Sequence, residues 1–348
     1  MKRTKWIVFI AVMFIIGLVF VGCSGKKAAN QEVKKVTITL GAYTVPKEAY
    51  QKEIIPAFKK MWKEKTGQDV EFKESYVASG AQSRAIVGGF EADIAALSLE
   101  DDVARLVKEK LITHDWKSKK YNGFITRSVV AMAYRPGNPK NVKTWEDLTS
   151  DKIDVIYPSP KTSGGAMWIV NAIYGAGLKM SEAKTGKQDP AYARSLLERI
   201  QKRVKVMDES GRASVTTFEN GIGDILLTYE NEALLRQKQG KEFPCMVPDA
   251  TILIENPAAI VDKYVEKHGN REVVEAFLEF LYSKESQRSF ANYGFRPVDE
   301  EIAKEFQSKY AVPPMLFDMN YIGGWDKIRD GLYGPEGIWT QIVNSLGK

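Results

Sequence analysis

The sequence predicts an α/β protein built on an open, mostly parallel sheet, and three observations carry that expectation. Alternating runs such as Val36-Thr37-Ile38-Thr39-Leu40 and Val70-Glu71-Phe72-Lys73-Glu74-Ser75-Tyr76 read as strands, and each is followed by apolar residues at helical spacing. Ala92-Asp93-Ile94-Ala95-Ala96-Leu97 is a short, nearly continuous apolar run, the pattern of a strand covered on both faces. Strands then keep alternating with helices along 348 residues, a length with room for two domains of about 100 to 200 residues each.

The elements follow in order. The first strand ends at Gly41, and Ala42-Tyr43-Thr44-Val45-Pro46 opens a long helix whose buried face is Ala49, Tyr50, Ile54, Ala57, Phe58, Met61 and Trp62. Pro56 lies inside it, removes one backbone hydrogen bond and predicts a kink. After the second strand, Ala78-Ser79-Gly80 leads into a helix from Ala81 to Val87, and a further helix runs from Leu99 to Lys110. The apolar strand Arg127 to Tyr134 ends at Arg135-Pro136-Gly137-Asn138-Pro139, where the chain is expected to enter its second domain. There the reading is a strand at Val155-Ile156-Tyr157, a helix from Ala166 to Ala176 closed by Gly177, and a polar loop from Lys179 to Asp189. A helix from Ala191 to Arg203, a strand from Val204 to Met207 and a turn-rich loop at Glu209 to Ser214 come next. Asp224 to Tyr229 is a strand entering the helix Glu230 to Gln239, so Tyr229 stands at a strand's carboxyl end, where open α/β sheets bind ligands. Thr251-Ile252-Leu253-Ile254 reads as the return to the first domain, and helices at residues 271–282, 285–291, 322–331 and 338–346 finish the chain.

Composition narrows the function classes. The net charge of +6 includes Lys2, Arg3 and Lys5, and a chain beginning at Cys23 carries +3, too mild for a nucleic-acid binder. Basic residues alternate with acidic ones, as in Lys59-Lys60-Met61-Trp62-Lys63-Glu64-Lys65, the mark of solvated helix faces. At the amino end, Lys2-Arg3-Thr4-Lys5 precedes an uncharged apolar run from Trp6 to Val21 and then Gly22-Cys23-Ser24-Gly25, the layout of a secretory signal. Gly22-Cys23 resembles a bacterial lipobox, which implies cleavage after residue 22 and a lipid on the Cys23 sulfur, with residues 23–35 as a tether. Phe20 departs from the Leu usual three residues before that Cys. Cys245 is then the remaining thiol, without a partner for an intramolecular disulfide, and is expected to be a small buried residue.

The stretch Pro160-Lys161-Thr162-Ser163-Gly164-Gly165-Ala166-Met167-Trp168 carries the functional expectation. A helix N-terminus presents unpaired N–H groups and about half a positive charge, and glycines let an anion approach the backbone. Ser79-Gly80 repeats the grammar of strand, Ser-Gly, helix. Only His114 and His268 are available as histidine bases, neither in a metal-ligand spacing, so no cofactor or metal is expected. Glu91 and Asp93 could mimic a catalytic pair, but a strand start is the expected role.

At these residues the chain resembles the bacterial sulfate-binding proteins, the extracytoplasmic receptors of ATP-binding-cassette importers. The resemblance runs from Val36 to Trp325 and is carried by Lys63-Glu64-Lys65-Thr66-Gly67-Gln68, Ser79-Gly80, Arg135-Pro136-Gly137-Asn138-Pro139, Pro160 to Ala166, Gly221-Ile222-Gly223-Asp224, Glu230-Asn231-Glu232-Ala233-Leu234-Leu235 and Gly323-Gly324-Trp325. It implies a two-lobed, type II periplasmic-binding-protein-like fold, with residues 33–127 and 251–348 in one lobe, 128–250 in the other and hinge strands between. By position it implies these donors to a bound sulfate: the N–H of Thr44, the Ser79 hydroxyl, the Ser163 hydroxyl and N–H, the N–H groups of Gly164, Gly165 and Gly211, and the side chain of Tyr229. Thr44 replaces the family's Asp, Gly211 its Ala, and Tyr229 its Trp, while Ser159 and Met167 stand where Asn and Arg are usual. The implied partners are a membrane permease and, through Cys23, the outer face of the cytoplasmic membrane, with the protein a monomer.

Hydrogen bonds to a charged group contribute about 1.5 to 3 kcal/mol each, so six or seven give roughly 10 to 20 gross, against about 8 net for micromolar binding. No Lys or Arg is required. The rival readings are a receptor for thiosulfate, molybdate or phosphate, and a lipid-anchored enzyme. Phosphate keeps a proton near neutral pH and needs an acceptor, and none of the implied positions is acidic.

Overall fold

The computed structural model describes residues 35–348. The apolar run, Cys23 and residues 24–34 lie outside them, and Lys35 already belongs to the first strand.

Ten strands form one continuous sheet: β1 (Lys35–Tyr43), β2 (Asp69–Val77), β3 (Ile94–Ala96), β4 (Phe124–Tyr134), β5 (Val155–Ile156), β6 (Val204–Val206), β7 (Ile225–Tyr229), β8 (Cys245–Met246), β9 (Ala250–Ile260) and β10 (Met315–Phe317). Their order is β2-β1-β3-β9-β4-β7-β5-β6, with β8 on β4 and β10 on β9. β1 pairs in parallel with β2 and β3, and β5 pairs in parallel with β6 and β7, whereas β9 and β4 run antiparallel to their neighbours in this order. Among the described residues, two half-sheets therefore join through β4 and β9. Phe124 to Val129 of β4 pair with β9, and Val130 to Tyr134 of the same strand pair with β7. Arg135, just beyond the end of β4, donates to the carbonyls of Phe218, Ile222 and Gly223.

β3 and β4 read as apolar runs because both faces are covered. Behind β1 and β2, the Phe277 ring lies 5.0 Å from Phe58 and 4.9 Å from Phe72, centroid to centroid, in edge-to-face contacts. Phe277 is fully buried, so truncating it to Ala costs about 3 to 5 kcal/mol.

Four local expectations change. The kink at Pro56 takes the form of a π-helical stretch, Tyr50–Ile54, ahead of the α-helix Ile55–Thr66. The wider turn makes room for the ring against the preceding carbonyls. Gly177 does not close its helix, which runs from Gly164 to Thr185 and ends at Gly186, with φ +75°. Gly177 sits in its interior because Ala193 of the helix Pro190–Arg203 packs against it; a Cβ there would lie 2.6 Å from the Ala193 Cα. The expected loop at residues 209–214 is mostly the first turn of a helix, Gly211–Glu219, capped by the Ser210 hydroxyl accepting from the Ala213 N–H. Cys245 is also more exposed than expected. It lies half-buried in β8, its thiol pushed up to about 11 by burial.

Candidate functional site

Loops from both half-sheets close on one small cavity. Thr44 follows β1, Ser79 follows β2 and Ser98 follows β3, while Ser163, Gly211 and Tyr229 belong to the other half-sheet. About 20 Å³ is open to the centre of a water-sized sphere, little more than the roughly 10 to 15 Å³ one water requires. A small ion fits such a space, and a sugar or peptide does not.

Four helices start at the cavity wall: Ser79–Val87, Gly164–Thr185, Gly211–Glu219 and Glu230–Lys238. With about half a positive charge at each N-terminus, the wall carries roughly +2, close to the charge of a dianion. The long helix opened by residues 42–46 adds no fifth start. That segment is helical only over Lys47–Ala49 before it widens, and the helices at Gly211 and Glu230 contribute instead. No lysine or arginine lines the cavity among the described residues.

Of the seven positions named from sequence, Thr44, Ser79, Ser163, Gly165, Gly211 and Tyr229 line this cavity. Gly164 stands behind the wall, where a Cβ would lie 2.8 Å from both the Leu99 Cγ and the Ser98 Oγ. The N–H groups of Gly164 and Gly165 have no backbone acceptor among the described residues. Two expected donors are already committed. The Ser163 N–H donates to the Ser159 carbonyl at 2.9 Å, closing the turn before its helix. The Ser79 hydroxyl donates to Asp102 Oδ2 at 2.6 Å and accepts from the Ser98 N–H at 2.9 Å. Burial pushes the Asp102 carboxyl above its ordinary range, against the Ser79 hydrogen bond and Arg105.

The Tyr229 hydroxyl meets Ser98 Oγ at 2.7 Å. Burial pushes it well above its ordinary value, so it stays protonated. Ser98 itself escaped the sequence reading. The signal was available, since Ser98 directly follows the Ala92 to Leu97 run and so stands beyond a strand's carboxyl end, the position that singled out Tyr229.

Glu232 also lines the cavity, although the sequence reading places no acidic side chain there. It is 1 % exposed; Oε1 accepts from Arg212, and Oε2 has no hydrogen-bond partner among the described residues. It reaches the site because the Glu230–Lys238 helix starts at Tyr229 and turns its first residues inward.

The two histidines lie elsewhere and have structural partners. His114 Nδ1 meets Asp262 Oδ2 at 2.7 Å. His268 bridges Asp93 and Glu91, and Asp93 also accepts from the Thr39 N–H of β1 at 2.6 Å. Asp93 thus serves at a strand start, as expected.

The profile of the family described as bacterial extracellular solute-binding protein matches residues 38–296. The chain belongs to this family. As a solute-binding protein it is 37% identical to a sulfate-binding protein of Synechococcus elongatus over 339 residues, 97% of this chain and 95% of that protein. It is 33% identical to a thiosulfate-binding protein of Pseudomonas aeruginosa over 308 residues, 87% of this chain and 91% of the other. Among solved structures, the sulfate-binding protein SubI from Mycobacterium tuberculosis superposes with a TM-score of 0.77 at 36% identity, covering 86% of this chain and 99% of that one. The expected fold class is met: the central sheet flanked by helices is the architecture of the type II periplasmic binding proteins.

Proposed function

We propose that this solute-binding protein captures sulfate between two lobes and delivers it to an ATP-binding-cassette permease for import, acting as a receptor and not as an enzyme. One observation carries the reading: serine hydroxyls and four helix N-termini converge on an ion-sized cavity whose wall, among the described residues, holds no lysine or arginine. Relatives named for sulfate and thiosulfate support the ligand class. In this reading the contacts come from Thr44, Ser163, Gly164, Gly165, Gly211 and Tyr229, with Ser79 fixing the wall behind them. The lobes are residues 33–127 with 251–348, and 128–250, hinged on the β4 and β9 regions, near residues 127–135 and 248–258.

Titration calorimetry with sulfate, thiosulfate, molybdate and phosphate tests the ligand. Sulfate heat at micromolar concentration is expected, together with a smaller radius of gyration in small-angle scattering. Absence of both overturns the reading. Phosphate belongs in the panel because Glu232 Oε2, which faces Arg236 at 3.7 Å but accepts no hydrogen bond among the described residues, offers an acceptor for its proton.

The same reading has the protein exported as a monomer and anchored by lipid on Cys23 to the outer face of the cytoplasmic membrane. A lipidated cysteine with at least two acyl chains gives stable attachment. Cys23→Ala is expected to appear in the soluble fraction or unprocessed, and a variant still anchored and cleaved at the same point excludes the assignment.

A further inference from the structure

Ser98 is held from four directions. Its carbonyl accepts from the Trp168 indole N–H at 2.8 Å and from Asn256 Nδ2 at 3.0 Å. Its N–H donates to Ser79 Oγ at 2.9 Å, and its own Oγ lies 2.7 Å from the Tyr229 Oη. Ser98 is fully buried and Tyr229 is 3 % exposed, and both line the cavity.

A proton count follows from these contacts. Two hydroxyls carry two protons, and one of them lies in the hydrogen bond that joins the oxygens. Whichever way that bond runs, one proton is left over, on an oxygen in the cavity wall. If Tyr229 donates to Ser98, the spare proton is on Ser98 Oγ; if Ser98 donates, it is on the tyrosine. Ser79 cannot play this part, because its proton is given to Asp102.

The geometry points to Ser98 and Tyr229 acting together as one hydrogen-bond donor to the bound oxyanion, with either hydroxyl able to supply the proton. Ser98 thereby becomes a ligand-binding residue of this site. The inference rests on the reading that the cavity binds a tetrahedral oxyanion. It goes beyond that reading by joining two residues, one from each half-sheet, into a single donor. The pair forms only when the loop after β3 meets the end of β7, so it also ties anion binding to the approach of the two halves.

A double-mutant cycle read by calorimetry with sulfate tests this. In Tyr229→Phe the serine keeps a proton for the anion, and in Ser98→Ala the tyrosine does, so each single variant is expected to weaken sulfate binding by about two- to threefold. Ser98→Ala/Tyr229→Phe removes the donor altogether and is expected to lose about ten- to a hundredfold, more than the product of the single losses. A merely structural pair gives the opposite sign in the unfolding midpoints measured without sulfate, a double loss smaller than the sum of the single losses, because either substitution alone already breaks the shared hydrogen bond.

A full loss in Tyr229→Phe with a silent Ser98→Ala assigns the donor to the tyrosine alone and overturns the inference. Single losses that multiply to the double loss overturn it as well. Should the double variant not fold, Ser98→Cys/Tyr229→Phe keeps the side-chain volume with a weak S–H donor, and the same excess over the single losses is read there. Wild-type protein that gives no heat with sulfate would instead refute the functional reading, a distinct result.

Discussion

The Arg212 guanidinium meets the Glu48 carboxylate at 2.6 and 3.0 Å, across from the first turn of the Gly211 helix to the helical stretch Lys47–Ala49. Its other edge holds Glu232 Oε1 at 3.1 Å, and one of its N–H groups donates to the Val45 carbonyl. Burial works against the charge on Arg212, but Glu232 and Glu48 outweigh it and raise the guanidinium above its ordinary value. Arg212, shared between Glu48 and Glu232, ties the two sides of the cavity together, and Arg236, 3.7 Å from Glu232 Oε2, adds a second counter-charge to the wall carboxylate.

Arg212→Ala is expected to cost about 3 kcal/mol in urea unfolding, because it strips the buried Glu232 of its nearest counter-charge. Faster sulfate release in stopped-flow measurements accompanies it. Glu48→Gln keeps a hydrogen-bonding group on Arg212 and is expected to cost about 1 kcal/mol or less. Equal costs for the two variants would show that Glu232 is not the group that suffers.

Ser79→Ala should be felt before any anion is added. The hydroxyl satisfies the buried Asp102 carboxylate and the Ser98 N–H, so its removal leaves two buried polar groups short of a partner. A loss of about 1 to 3 kcal/mol is expected in the ligand-free protein. Unchanged stability with weakened sulfate binding would return the Ser79 hydroxyl to the ligand.

Two glycines of the site differ in how closely they are packed. Gly164→Ala drives a methyl to 2.8 Å from Leu99 and Ser98, and is expected to cost about 1 to 3 kcal/mol together with sulfate affinity. Gly211→Ala meets only the Val45 Cγ2, at 3.8 Å, and is expected to stay within about 0.5 kcal/mol. Thermal unfolding of both variants decides it; a destabilised Gly211→Ala contradicts the geometry.

His268 gives the fold a pH dependence of defined sign. Burial disfavours its charge, but the Asp93 and Glu91 carboxylates outweigh this and hold the imidazole above its ordinary value. The stabilisation is complete below about pH 6.5 and is lost as pH rises through the raised folded value. His268→Gln is expected to flatten the fall in unfolding midpoint over that range, and a variant with the wild-type slope removes His268 as its source.

Local pattern alone determined much of this protein. Alternation in residues 36–40 and 70–76 and the apolar run 92–97 located β1, β2 and β3, because the side-chain period of a covered strand is written in adjacent residues. The Ser-Gly steps at residues 79 and 163 marked helix starts for a similar reason, since caps and tight turns are short-range chemistry. Tertiary packing decided the rest. Gly177 looks like a helix stop until Ala193 is seen to need its missing side chain, and the Glu209 to Ser214 run looks like a loop until Ser210 caps a helix. The second half of the Ser79 network is Asp102, and the partner of Tyr229 is Ser98, 131 residues away. Such pairings depend on how β3, β7 and β9 order themselves in the sheet. No run of neighbouring residues encodes them, because a hydroxyl commits its proton to whichever acceptor the folded chain brings within reach.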